Sequence, residues 1–211
     1  SLPRRVDVTK WQSSRMQTPD DAIERVRIAL HRHQRLAPTG RAAFEIGILD
    51  AIVAQIPYDP IADFMPVSLV AVSEYALTVH PSLPVKSVKD LIVLAKSRPH
   101  QIAFGSTGIA GGPHLAGEYL NNLAGIRLLH VAYKGGTPVV TALLSGEIAI
   151  SFSSLPTALP FRANGRLRVV AVTGARRSPF APEIPAIAET LSGYDVTQWY
   201  GVLAPAKTDA A

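Results

Sequence analysis

A glycine-rich segment from residue 104 to residue 116 contains residues suited to holding an anion. It is FGSTGIAGGPHLA, and its pattern predicts a strand followed by a helix. The first N–H groups of a helix lack partners within the helix, and the helix dipole adds partial positive charge there. Glycine lets a bound group approach the backbone, and the hydroxyls of Ser106 and Thr107 add donors. We therefore predict an anion-binding loop that includes Ser106, Thr107 and Gly108, although the glycines alone could serve a tight turn.

Two further loops are predicted to lie at the same edge of the sheet. The segment 133–138 follows the next strand and opens a helix, and the segment 153–157 follows the strand after that. Ligands of open α/β sheets bind at the carboxyl ends of the strands. The candidate binding residues from these loops are Tyr133, Gly135, Gly136, Thr137, Ser153 and Ser154. The alternatives are that Tyr133 packs as an aromatic side chain and that the hydroxyls serve as ordinary turn or cap residues.

No set of catalytic or metal-binding residues is found in the sequence. The nucleotide-binding patterns G-x-G-x-x-G and G-x-x-x-x-G-K-[ST] and the esterase pattern G-x-S-x-G are absent, and there is no cysteine. His31 and His33 lack a third ligand at a recognisable spacing, and the acidic residues show no paired acid and base. We predict a binding protein with no cofactor and no metal. A hydrolase would need a serine, histidine and acid set near Ser106 and His114; His114 is otherwise expected to pack and hydrogen-bond.

The composition is typical of a folded, soluble protein. Of the 211 residues, 47% are hydrophobic and 18% are charged, so the chain is too apolar to be disordered. The net charge of +5 comes without a nucleic-acid-binding motif, and we expect no nucleic-acid partner. No uncharged apolar run reaches the length of a membrane span. The first residues lack the pattern of a secretory signal, so either the chain is mature or it is not exported.

Alternating strand and helix patterns predict the elements that position these loops. Strands are predicted near residues 67–72, 75–80, 102–104, 128–131, 148–152, 169–173 and 200–203, and helices near 88–97, 113–123, 138–144, 157–163 and 187–191. Ser87 and Asp90 have the spacing of a capping box, and Gly125 and Gly146 follow helix ends. This alternation predicts an α/β fold.

From residue 58 onward, the chain resembles the Bug family, the substrate-binding proteins of tripartite tricarboxylate transporters. The matching segments are YDPIADFMPVS at 58–68, HPSLPVKSVKDL at 80–91, the glycine-rich segment continued to residue 118, HVAYKG at 130–135, LPTALP at 155–160, LRVVAVT at 167–173 and WYGVLAPA at 199–206. They occur in the family's order and at its spacing.

The resemblance implies a periplasmic, two-lobed protein that closes like a Venus flytrap on a small carboxylate and delivers it to a membrane permease. It implies that Ser106, Thr107, Gly108, Tyr133 and Gly135 face the cleft. Residues 77–198 would form a complete second lobe. Residues 1–76 would be a partial or altered first lobe, and 199–211 a return strand towards it. The alternative function is a non-transport interaction or sensing module that kept the lobe and lost the cleft.

Two departures from the family pattern carry expectations of their own. Family members often have Asp-Asn after the fourth strand, where this chain has Ser153-Ser154, so we expect a carboxylate ligand that lacks an amino group. Residues 1–57 do not match the family. One hypothesis is a frameshift, because a one-base shift in the codons for residues 31–35 can encode Ile-Ala-Ile-Asn-Ala; a different N-terminus is the other.

Overall fold

The computed structural model describes residues 63–206 and 208. The predictions for the earlier part of the chain, including the pair His31 and His33 and the unmatched segment 1–57, lie outside the described residues. Among the described residues, no helix combines the length and the apolar character needed to cross a membrane.

Strands and helices alternate along the described chain, as the sequence pattern predicts. The strands are β1 (Phe64–Val79), β2 (Ala103–Ser106), β3 (Leu129–Ala132), β4 (Ile150–Ser154), β5 (Arg168–Val172) and β6 (Thr197–Pro205). The α-helices are α1 (Val88–Ser97), α2 (Gly112–Ala124), α3 (Gly136–Ser145) and α4 (Leu155–Ala163), and a 3-10 helix covers Ile187–Glu189.

The strands form a mixed sheet in the order β3-β2-β4-β1-β5, with β6 paired to β1. Strand β2 runs parallel to both β3 and β4, while β1 runs antiparallel to β4 and β5. The carboxyl ends of β2, β3 and β4 therefore lie at one edge, and each of these strands leads into a helix there. The predicted α/β fold is confirmed.

Strand β1 is continuous, where the sequence pattern predicted two strands at 67–72 and 75–80. Its first part pairs with β6 as far as Glu74 opposite Thr197, and from Tyr75 onward it pairs with β4, beginning opposite Ser154. No glycine or proline separates the two predicted strands, so nothing in the local sequence forces a turn. The strand instead changes partners between Glu74 and Tyr75.

Helices cover both faces of the sheet. Leu77 and Phe104 belong to the largest buried cluster, which includes residues of α1 and α2. Ala76 points to the opposite face, because side chains alternate along a strand, and it packs in a second cluster with Leu155 and Ala158 of α4. A third cluster joins α3 to residues around β4.

Helix α1 begins with the capping box that the sequence predicts. The Ser87 hydroxyl accepts the N–H of Asp90, and the Asp90 carboxylate accepts the N–H groups of Ser87 and Lys86. Gly125 and Gly146 end α2 and α3 in the left-handed conformation, also as predicted.

The ribbon formed by β6 and the first part of β1 exposes apolar side chains on both of its faces. The exposed residues are Phe64, Met65, Val67, Leu69, Val70, Val72, Trp199, Tyr200, Val202 and Leu203. Two strands alone are marginally stable in water, and exposed apolar patches of this kind normally mark a surface that is covered.

Replacing Gly117 by Ala should destabilise the fold. The new Cβ would lie 2.2 Å from Cε2 of the buried Phe104, a separation that real Cβ atoms do not adopt. We expect a loss of about 1–3 kcal/mol in the free energy of unfolding, measured by urea denaturation. Gly136→Ala is the control, since its Cβ meets nothing within 4 Å. Equal unfolding midpoints for both variants would contradict the packing of α2 on β2.

Candidate functional site

The loops that follow β2 and β3 are in direct contact. The N–H of Gly135 donates to the carbonyl oxygen of Thr107 at 3.3 Å, and the N–H of Tyr133 donates to the carbonyl of Ser106 at 2.9 Å. The sheet ladder thus continues past the ends of both strands into the loops. The structure brings together the two loops that the sequence assigned to one site.

The N-termini of α2 and α3 have no side-chain caps in the described structure. The N-cap residues are Gly111 and Gly135, neither makes a side-chain cap bond, and neither helix has an acidic residue in its first turn. Helix α1 differs, because Ser87 and Asp90 cap its N–H groups. The positive ends of α2 and α3 are therefore left for an external acceptor.

Gly108 and Gly135 have backbone conformations that favour glycine. Their φ angles are +148° and +103°, and a Cβ on either residue would have no neighbour within 4 Å. The space over these positions is therefore open. Glycine is required here by the turn of the backbone rather than by crowding against the protein.

The side chain of Ser106 points inward. It is 0% exposed, and its hydroxyl lies 2.6 Å from Nε2 of His130 and 2.9 Å from the carbonyl oxygen of Gly108. The Gly108 N–H lies 3.3 Å from the same hydroxyl oxygen. The contacts show that Ser106 fixes the shape of the loop, and they give its hydroxyl partners other than a ligand. Thr107 is exposed beside it.

Two stacked histidines lie beneath the loop. The rings of His114 and His130 have centroids 3.8 Å apart and are tilted by 17°, and His114 is 1% exposed. Nδ1 of His114 accepts the N–H of Ala110 at 2.9 Å. His114 thus packs and hydrogen-bonds, as expected. His130 was not singled out from the sequence, because its partner Ser106 lies 24 positions away.

In the loop after β3, the Tyr133 side chain contacts other protein groups, while Gly136 and Thr137 belong to the start of a helix. The hydroxyl of Tyr133 donates to Oε1 of Glu147 at 2.8 Å, and its ring packs against the cluster around α3. The packing alternative thus accounts for the Tyr133 side chain. Gly136 and Thr137, expected in a loop, form the first turn of α3, where both are exposed.

Ser153 and Ser154 end strand β4, where the sequence predicted a loop. Their hydroxyls lie 2.9 Å from the Ser151 hydroxyl and 2.7 Å from the Thr157 hydroxyl, respectively. Strand pairing extends to these residues because Ser154 lies opposite Tyr75 of β1. Both serines stand at the same sheet edge as the two loops and are half-buried.

Tyr75 is a site residue that sequence reasoning missed. A Cβ on Gly112 would lie 2.1 Å from the Tyr75 hydroxyl oxygen, so that hydroxyl packs against the first residue of α2. Burial, followed by the nearby Tyr200, raises the pKa of Tyr75. Tyr75 is therefore neutral at pH 7 and does not repel an anion. Only the long-range pairing of β1 with β4 brings it to this edge.

The arrangement around Ser106 does not match a hydrolase. Its hydroxyl contacts His130 rather than His114, and it has no exposed surface. A nucleophile must reach its substrate, and its histidine is normally oriented by a carboxylate. Among residues 63–206 and 208, no group of three or more His, Asp or Glu side chains is placed to hold a metal ion.

The chain has an α/β fold with two uncapped helix N-termini after neighbouring strands, and it belongs to a known family of solute-binding proteins. The family described as "Tripartite tricarboxylate transporter family receptor" matches residues 37–211. The resemblance was expected to begin at residue 58. The family match begins earlier and also includes residues 37–57. Members of this family are periplasmic solute-binding proteins.

Relatives agree with this membership. The protein BugT of Bordetella pertussis is 31% identical over 177 residues, which is 82% of this chain and 53% of BugT. The solved structure of Rpa4515 from R. palustris with adipate is 37% identical, with a TM-score of 0.66 over 72% of this chain and 51% of Rpa4515. The periplasmic binding protein BugD shares the fold at 21% identity, with a TM-score of 0.65 over 92% of this chain and 75% of BugD. The chain thus spans about half the length of BugT and Rpa4515.

The histidine stack should make the protein less stable as the pH falls from 7 towards 4. Burial lowers the pKa of His114 to about 3, with His130 as a further cause, and burial lowers the pKa of His130 to about 4. Both imidazoles have a reference pKa of 6.5. Between pH 6.5 and pH 4, the two imidazoles bind protons in the unfolded chain but stay neutral in the native state. The free energy of unfolding therefore decreases as the pH is lowered.

Urea denaturation at pH 7 and pH 5 measures this effect. We expect a loss of at least about 1 kcal/mol at pH 5. NMR signals of the His114 and His130 rings should show neutral imidazoles in the folded protein at that pH. Protonated rings at pH 5 in the folded protein would contradict the burial of the stack.

Proposed function

We propose that the protein is a periplasmic solute receptor that captures a small organic carboxylate and delivers it to the permease of a tripartite transporter. The observation that carries the proposal is the contact between Thr107 and Gly135, which joins the loops that lead into two uncapped helix N-termini. A carboxylate has two oxygens, and each can accept from N–H groups of one helix. Backbone donors at helix N-termini bind anions without a basic side chain.

The electrostatics of the loops favour an anion. Neither helix has an acidic residue in its first turn, and the exposed Lys134 adds positive charge between β3 and α3. We assign the binding itself to the backbone N–H groups of Thr107, Gly136 and Thr137. The N–H groups of Gly108 and Gly135 donate to the Ser106 hydroxyl and the Thr107 carbonyl oxygen, so these two glycines shape the loops. Side chains at the edge, including Ser153 and Ser154, would set the shape of the site.

A relative supports the choice of ligand class. Rpa4515, at 37% identity, was solved with adipate, a dicarboxylate. Adipate is therefore the first probe for this chain. Binding without chemical conversion fits the site, because the Ser106 hydroxyl that contacts His130 is fully buried.

We propose the lobe boundaries of the family for this chain, with a second lobe at 77–198. The partner change of β1 after Glu74, and the start of β6 at Thr197, supports two strands that cross between lobes. The exposed ribbon of β1 and β6 would then belong to the first lobe, with residues 1–76 and 199–211. Ligand capture would be a hinge closure around these strands.

Replacing Gly108 by Ala should weaken adipate binding at least about tenfold, measured by calorimetry. A Cβ at φ +148° strains the loop backbone, and the loop must shift its N–H groups to relieve the strain. The matched control is Gly125→Ala. Gly125 also has a positive φ, +61°, and an open Cβ position, but it lies at the other end of α2. It should lower the melting temperature and keep the adipate affinity.

The outcome also separates the two functions considered for this chain. Equal losses of affinity for the two variants would show that backbone strain acts through stability rather than at the loop. If the unmodified chain shows no thermal shift with adipate or any other mono-, di- or tricarboxylate, the receptor proposal is wrong. The sensing or interaction module would then be the better account.

Succinate should bind more tightly than aspartate, which differs from it by one ammonium group. The edge offers the hydroxyls of Ser153 and Ser154 where an acidic group would be needed to hold an ammonium. We expect a preference of at least about tenfold, since an unpaired buried charge costs more than one hydrogen bond. Competition against bound adipate measures the ratio, and an aspartate preference would refute the assignment.

A further inference from the structure

The glycine-rich loop contains a residue other than glycine in the left-handed conformation. Ala110 has φ +61°, and it stands two residues before the start of α2. This conformation costs an L-residue about 1–2 kcal/mol, because the Cβ approaches the following carbonyl oxygen. Something in the structure must therefore hold Ala110 in place.

The hydrogen bond from Ala110 to His114 is placed to do this. The Ala110 N–H donates to Nδ1 of His114 at 2.9 Å, and His114 lies in the first turn of α2. The imidazole is 1% exposed and is stacked on His130, whose ring also lies 5.0 Å from that of Phe104. A ring packed in this way cannot swing out to solvent, so its Nδ1 is a fixed acceptor.

His130 ties the same stack to the other side of the loop. Its Nε2 lies 2.6 Å from the Ser106 hydroxyl, which in turn contacts the carbonyl oxygen of Gly108. The stack therefore holds the loop at both Gly108 and Ala110. The Gly111 N–H also donates to the Gly108 carbonyl oxygen, at the longer distance of 3.4 Å.

We propose that His114 is a positioning residue for the carboxylate site: its neutral ring holds Ala110 left-handed and so aims the N–H groups of the glycine-rich loop at the ligand. The inference rests on the proposed function for its effect on affinity, but its structural part is independent of any ligand. His114 itself does not touch the carboxylate in this scheme. It preorganises the loop, so that binding does not have to order it.

The mechanism requires one tautomer of His114. Nδ1 can accept from Ala110 only if it carries no proton, so the ring proton must be on Nε2. Nε2 is buried and has no hydrogen-bond partner among the described residues. Burial also lowers the pKa of His114 to about 3, which keeps the ring neutral at pH 7.

Two-bond ¹H–¹⁵N NMR correlations on the unmodified full chain test the tautomer without any substitution. We expect the His114 pattern of a proton on Nε2 and a bare Nδ1, together with slow exchange of the Ala110 amide proton. A proton on Nδ1, or an Ala110 amide that exchanges as fast as in an unstructured chain, would overturn the proposal.

Three variants then test the link to affinity, with adipate as the probe. His114→Leu removes the acceptor and should weaken binding about 5- to 30-fold. This factor corresponds to the free-energy cost of holding Ala110 in the left-handed conformation. His114→Asn keeps an acceptor near the position of Nδ1 and should stay within about threefold of the unmodified protein. Adding Ala110→Gly to His114→Leu should restore most of the loss, because glycine adopts this φ without strain.

The pattern distinguishes positioning from a merely structural role. If Ala110→Gly leaves the affinity of the His114→Leu protein unchanged, or if His114→Asn binds as weakly as His114→Leu, the proposal fails. If His114→Leu does not fold, the tautomer and the Ala110 exchange rate in the unmodified chain still decide it. If adipate binds none of the proteins, the proposed function is in question, while those ligand-free measurements continue to test His114.

Discussion

The hydrogen bond between the Thr107 carbonyl oxygen and the Gly135 N–H is the contact on which the site depends. Each helix N-terminus alone presents a weak partial charge that water screens. In the proposed site, two N-termini without side-chain caps act together on an anion, because this bond joins the loops that lead into them. The parallel pairing of β2 with β3 makes the contact possible, because it brings both strand ends to one edge.

The second constraint is that the edge is supported from below by neutral aromatic groups. His114, His130, Phe104 and Phe152 form one connected set of rings under the glycine-rich loop. The hydrogen bond from the Ala110 N–H to Nδ1 of His114 needs an uncharged imidazole, and burial keeps that ring neutral. A protonated stack would bring charge into the core and remove an acceptor from the loop. The contacts that pack this part of the core therefore also hold the glycine-rich loop in place.

Much of the fold and part of the site could be predicted from the sequence, for local reasons. The capping box at Ser87, the glycines that end α2 and α3, and the alternation of strands and helices all depend on short-range signals. The pairing of the two glycine loops followed from a general rule about the carboxyl ends of parallel strands. Residues 37–57 were left out of the resemblance because they lack its short recognisable segments, yet they belong to the family match.

What the sequence could not give depends on long-range contacts. The continuity of β1 depends on partners more than a hundred residues away in β6, which keep Ser73 and Glu74 extended. The inward turn of Ser106, the donation of the Tyr133 hydroxyl to Glu147 and the arrival of Tyr75 at Gly112 are each set by tertiary packing. Residue type indicated that Ser106 and Tyr133 were capable of binding, and the fold gave their hydroxyls other partners.

The most direct test of the central claim is an adipate titration of the ¹⁵N-labelled chain, followed through its backbone amide signals. Binding by backbone donors predicts saturable shifts that are largest for N–H groups at the starts of α2 and α3, including Gly112 and Gly136. Binding of adipate with these signals unmoved, and with the shifts concentrated elsewhere in the chain, would contradict it.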